Sequence, residues 1–103
     1  MTEENYTVIT TEAIDTLHDN IELVKYGDTL TDDGYTHYNA FEENWNNEII
    51  SELVGEYGCE LRREEIVCDV FNNNLERSIT SMIQAITAVE TYLYLVQKLE
   101  KGA

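Results

Sequence analysis

Cys59-Glu60-Leu61-Arg62-Arg63-Glu64-Glu65-Ile66-Val67-Cys68-Asp69-Val70 decides the fold, because two short apolar runs flank a charged centre in the pattern of a β-hairpin. The spacing predicts strands at 59–61 and 66–70 around a four-residue loop, Arg62 to Glu65. If Leu61 pairs with Ile66, then Cys59 lies opposite Cys68. Both sulfurs then share a face with Leu61, Ile66 and Val70, since alternate strand residues point the same way. That face is expected to be buried. Downstream, Leu75, Ile79, Met82, Ile86, Val89, Leu93 and Val96 recur at alternating intervals of four and three over three heptads, which predicts a long helix. Asn73 and Glu76 have capping-box spacing at its start, and Lys98, Lys101 and Gly102 suit its end. Ile83, Ala85, Tyr92 and Leu95 widen its apolar surface, so it reads as a core helix under the hairpin, with a dimerising coiled coil as the alternative.

Upstream of the hairpin, Asn39 and Glu42 again have capping-box spacing, and Gly58 suits the position after a helix end. The helix expected between them puts Ile49, Ile50, Leu53, Val54 and Tyr57 on one broad face and Glu48, Glu52 and Glu56 on the other. If it is regular from its start, Phe41 and Trp45 project to the acidic side. Further back, Thr31-Asp32-Asp33-Gly34 reads as a turn, followed by a short strand from Tyr35 to Tyr38; Gly27-Asp28 is a break, and Ile21 to Tyr26 a strand. Thr10 or Thr11 is expected to cap a short helix carrying Ala13, Ile14 and Leu17 and stopping near Asn20. Residues 1–7 read as a polar, mobile lead. The whole predicts an α+β fold in a single domain, 1–103: a small antiparallel sheet or hairpins packed on a long C-terminal helix, with two shorter helices. A chain of 103 residues with 43% apolar content suffices for one core.

Charge is the most informative feature. The chain carries 21 acidic and 6 Lys or Arg side chains, a net of −15. Residues 1–60 hold 15 of the acids against one base, Lys25, a net of −14; residues 61–103 hold 6 acids and 5 bases, a net of −1. Such a balance opposes direct binding to nucleic acid or an anionic membrane and points to a basic protein partner. Crowding like charge into half a small domain costs stability, which a use in binding offsets. Met1-Thr2-Glu3-Glu4 is acidic where a signal peptide is basic and then apolar, and no run approaches the roughly 20 apolar residues of a membrane span, so the expectation is a soluble cytoplasmic protein.

Candidate chemistry is sparse. Cys59 and Cys68 lack neighbouring histidines to complete a zinc site, and they read as buried thiols. His18 and His37 stand apart from any nucleophile. Asp28, Asp32 and Asp33 offer a divalent-cation alternative, although turns use Asp routinely. No phosphate-loop or dinucleotide fingerprint occurs. No cofactor and no enzymatic activity are expected. The candidate binding residues are Glu42, Glu43, Glu48, Glu52 and Glu56 with Asp32 and Asp33 as the negative surface, and Trp45 as an apolar anchor.

The order Gly27-Asp28, Asp32-Asp33-Gly34-Tyr35-Thr36, a helix, Gly58, a hairpin and a terminal helix containing Gln84-Ala85-Ile86 resembles a small domain family of unknown function found in bacteria and phages. The resemblance runs from about Ile21 to Tyr94 and implies a fold and a phage-related context, with no catalytic residues to carry over. The family usually has a longer strand-forming stretch where only Thr29, Leu30 and Thr31 stand here. In size and charge the chain is also similar to acidic phage anti-defence proteins, inhibitors of CRISPR nucleases or restriction enzymes, and to immunity proteins against nuclease toxins. The function expected on these grounds is an inhibitor that occupies the basic nucleic-acid groove of a defence nuclease in the bacterial cytoplasm. The alternative is a structural or regulatory module that assembles through its C-terminal helix.

Overall fold

Thr7-Val8-Ile9-Thr10-Thr11 is an unbroken run of β-branched residues, stiff at χ1 and suited to a pleated surface. In the computed structural model, which describes residues 6–15, 19–40 and 42–102, this run forms β1 (Tyr6–Ile14). The helix expected from Thr10 or Thr11 is therefore corrected to a strand. Thr10 pairs rather than caps, opposite Glu22 on β2 (Asn20–Tyr26), as Tyr6 stands opposite Tyr26; Thr11 falls where the register shifts, and its hydroxyl donates to the Ile21 carbonyl and accepts the Ala13 N–H. Leu17 and residues 1–5 lie outside the described residues.

The chain turns at Gly27-Asp28 into β3 (Thr29–Thr31), which pairs with β2 on one side and with β5 (Glu65–Asp69) on the other. The short triplet is thus the central strand of the sheet, whose order is β1-β2-β3-β5-β4 with every pairing antiparallel. The hairpin joining β4 (Glu60–Arg62) to β5 has the expected register, Leu61 opposite Ile66. Its loop is tighter than expected, because Arg62 pairs with Glu65 and only Arg63 and Glu64 turn, Arg63 at φ 59°.

Tyr35–Tyr38 is a single helical turn, α1, where the sequence suggests a strand. The cause is Asp32, whose carboxylate accepts the N–H groups of Gly34 and Thr36 and winds the chain. The next helix is shorter than expected. A 3₁₀ turn spans 42–44, and α2 runs Asn47–Gly55, capped by Asn46 rather than Asn39, with the Asn46 Oδ1 accepting the Ile49 N–H at 3.1 Å. Gly58, at φ 80°, ends that segment, and a Cβ there would lie 3.1 Å from the Phe71 ring.

Asn74, not Asn73, caps the last helix, α3 (Leu75–Gly102), by accepting the Arg77 N–H at 3.1 Å. Asn72 and Asn73 take left-handed conformations just before it, which Asn tolerates. At about 1.5 Å per residue, 28 residues span about 42 Å, close to the 46 Å long axis of the molecule. Met82, Ala85, Ile86 and Val89 are buried with Ile21, Leu23, Leu30, Ile66 and Cys68 of the sheet and with Ile50 and Val54 of α2. The middle of the heptad pattern is therefore core. Beyond it, Tyr94, Leu95 and Leu99 are exposed. By length and composition alone Leu75–Leu99 is apolar enough to cross a membrane, a criterion that a core helix also meets and that a count of consecutive apolar residues does not register.

Candidate functional site

The charge-rich half of the chain supplies two kinds of carboxylate. Glu48, Glu52 and Glu56 stand four residues apart along α2 and its C-terminal cap, all exposed, while Ile50 and Val54 turn into the core. Successive carboxylates on such a row are about 6 Å apart along the axis. Each like-charged i, i+4 pair costs roughly 0.2–0.5 kcal/mol, and Glu56 faces the unfavourable negative end of the helix dipole. Among the described residues nothing neutralises the row. Four of the cations are engaged locally: Lys25 donates to the Gly27 carbonyl, Arg62 pairs with Glu60 at 2.9 Å, Arg77 lies over Phe71 and Lys98 over Tyr94. Glu43 is exposed too. Glu42 lies in the 3₁₀ turn, with its side chain outside the described structure.

Asp32 belongs to the second kind. It is 3% exposed, so its expected place in a negative binding surface is corrected to a structural one. Its Oδ1 accepts the N–H groups of Gly34 at 2.9 Å and Ile66 at 3.0 Å, and its Oδ2 accepts that of Thr36 at 3.2 Å. Its own N–H donates to the Ile66 carbonyl at 3.0 Å, so one side chain and one amide tie the turn to β5. Burial pushes the carboxyl above its ordinary range, and the hydrogen bonds with Thr36, Gly34 and Ile66 oppose that push in part. Asp33, next along, is exposed.

Trp45 precedes α2 instead of riding on its acidic side. It is half-buried against the core, meets His37 edge-on at 4.7 Å, and donates its indole N–H to Asn47 Oδ1 at 2.8 Å. The indole therefore stands off the α2 row, partly packed on the core and partly exposed. Phe41 and His18 lie outside the described residues. Ile49, expected in the core, is 41% exposed.

A comparison with known families matches residues 8–89 to a domain of unknown function, DUF1828. The chain belongs to that family. The match begins in β1, earlier than the resemblance read from Ile21 onward, and ends at Val89, a fully buried residue of α3. It therefore takes in all of the sheet but the first two residues of β1, and the core-forming part of α3. No match was found among curated proteins or solved structures.

Other parts of this DUF1828 domain bear on chemistry. Cys59 and Cys68 are free and buried. Burial, then the neighbouring Cys68, pushes the Cys59 thiol far up; burial also raises Cys68, with Asp69 adding to it and a hydrogen bond from Cys59 opposing it. Neither is poised to act as a nucleophile. Asp28 and Asp33 sit at opposite ends of β3, and the Asp32 oxygens between them are turned onto backbone N–H groups, so the three do not converge. Among the described residues no cluster of His, Cys, Asp or Glu has the arrangement of a metal site.

Sequence reasoning missed an open acidic cleft of about 520 Å³, walled by Asp19, Glu22, Asp33, Thr10 and Tyr35. Once β1 is known to be a strand, the alternation along β2 points to it, since Glu22 and Val24 fall on the face opposite Ile21 and Leu23. The cleft lies at β1 and β2, whereas α2 packs beside β4 and α3. β1 and β4 are the two edges of the sheet, four steps of about 4.8 Å apart. Asp33 therefore groups with the cleft and not with the α2 row.

Proposed function

We propose that this domain is a non-catalytic acidic inhibitor that binds the basic nucleic-acid groove of another protein through the α2 face. The observation that carries the reading is the exposed, internally unneutralised row Glu48, Glu52, Glu56, flanked by Glu43, in the half of the chain whose net charge is −14. Carboxylates at about 6 Å intervals suit arginines and lysines that otherwise hold phosphates, and the partner's field steers the encounter. A defence nuclease is the partner class we place first, a CRISPR effector before a restriction enzyme, with the domain acting in the bacterial cytoplasm on behalf of a phage or mobile element. A nuclease toxin met by its immunity protein is the next target class.

The test is capture of partners from the lysate of a defence-competent bacterium, with and without excess duplex DNA and guide-type RNA. A basic nuclease that is captured alone and displaced by nucleic acid supports the proposal; capture that nucleic acid does not displace counts against groove occupancy. A second reading, self-assembly, is favoured by the exposed Tyr94, Leu95 and Leu99 at the end of α3. It predicts that Leu95→Asp with Leu99→Asp converts a dimer into a folded monomer in sedimentation analysis.

A further inference from the structure

Between α2 and α3 runs a groove of about 690 Å³ whose walls carry no charged residue, in a chain where 26% of residues are charged. Ile49, Leu53 and Tyr57 form one wall; Ile83, Ala88 and Leu95 stand on the other with the uncharged Thr87 and Thr91 between them, Ile49 being 41% and Leu95 50% exposed. The span from Ile83 to Leu95 is about 18 Å, more than three helical turns. On α2, at 100° per residue, Glu52 and Glu56 fall on the side of Ile49 and Leu53 that points away from buried Ile50 and Val54, so the acidic row forms the outer rim of this groove. An apolar floor with an acidic rim along one side fits one kind of occupant.

We infer that the groove takes the apolar face of a basic amphipathic helix of the partner, its Lys and Arg side chains lying along Glu48, Glu52 and Glu56. This rests on the proposed binding of a basic partner and names the element of that partner that docks. Two parallel ridges of helical side chains accept a third helix in the manner of helix-in-groove recognition, with leucine-type anchors entering at i, i+4 and i+7. Charge complementarity selects that occupant over a second copy of this chain, which would bring a glutamate rim of the same sign to the same place.

The test uses the full chain and three synthetic 18-residue peptides followed by fluorescence anisotropy. The first is an amphipathic helix with leucines on one face and lysines flanking them; the second is a scramble of the same composition; the third replaces its lysines with glutamines. Preferential binding of the first, weakened about tenfold or more both by Thr87→Arg with Thr91→Arg in the groove and by Glu48→Gln, Glu52→Gln and Glu56→Gln on the rim, supports the inference. Both sets alter exposed helix positions, and far-UV circular dichroism checks that the fold is kept. Equal binding of the amphipathic and scrambled peptides overturns the groove as the docking element while leaving the acidic face as a binding surface. Binding of the glutamine peptide as tight as that of the lysine peptide overturns the basic character of the occupant. A dimer in sedimentation that Thr87→Arg with Thr91→Arg dissociates overturns it in favour of a second copy. Failure of all three peptides to bind overturns the groove as the docking element and leaves the acidic face to the capture experiment.

Discussion

Asp32 and the α2 glutamates are chemically alike and structurally opposite. At Asp32 a carboxylate is taken out of water and partly compensated by three backbone N–H donors, one of them from β5, 34 residues away in sequence. Along α2, three carboxylates are left in water without a cation among the described residues, at a small cost to the helix. The first arrangement uses charge to hold the fold. The second leaves charge available to a partner. Net charge by itself does not separate the two, and the position of donors and cations does.

The sharpest way to break this contrast is to put a carboxylate into the core where no donor awaits it. Val89→Asp does so at a fully buried position of α3, and it is expected to cost about 5 kcal/mol and leave the protein largely unfolded by circular dichroism. Asp32→Ala removes the acceptor from three N–H groups and is expected to cost about 3 kcal/mol in urea unfolding. The opposite sign is expected on α2: Glu48→Gln, Glu52→Gln and Glu56→Gln together relieve two like-charged pairs and gain about 0.5 kcal/mol or slightly more at low salt, an increment that salt suppresses. A destabilised triple variant would mean that the row is part of the fold after all.

The smallest effect concerns pH. The Asp32 carboxyl is raised above its unfolded value, so protonation favours the folded state; its contribution is full below the unfolded carboxylate range near 3.8 and is lost as pH rises through the raised folded value. The wild-type urea midpoint should therefore rise as pH falls toward that range. Asp32→Ala should show less of this rise. Identical pH profiles would remove the linkage assigned to Asp32.

What was legible in the sequence follows the same divide between local and distant causes. α3 announces itself because its apolar residues recur at helical spacing for three heptads, and the hairpin register follows from alternation across 59–70. The acidic row is likewise a local pattern, three glutamates at intervals of four. β1 was hidden because Thr10 and Thr11 are good helix caps as well as good strand residues, and only pairing with β2 decides between those uses. α1 rests on local bonds from Asp32 to the Gly34 and Thr36 N–H groups, which a turn also uses, and the third donor to that buried carboxylate is an N–H of β5, which nothing near residue 32 encodes. Trp45 stands elsewhere than its spacing suggests because Asn46 starts α2 seven residues later than Asn39 would, moving the indole off the helix and onto the core.

Binding of a basic, nucleic-acid-binding protein by the α2 row is tested by parallel capture from one lysate with the wild-type chain and with the variant Glu48→Lys, Glu52→Lys, Glu56→Lys, circular dichroism showing both folded. A nucleic-acid-binding protein is expected to be retained by the wild type and lost from the variant. Equal retention of the same protein by both would rule out the α2 row as the binding surface.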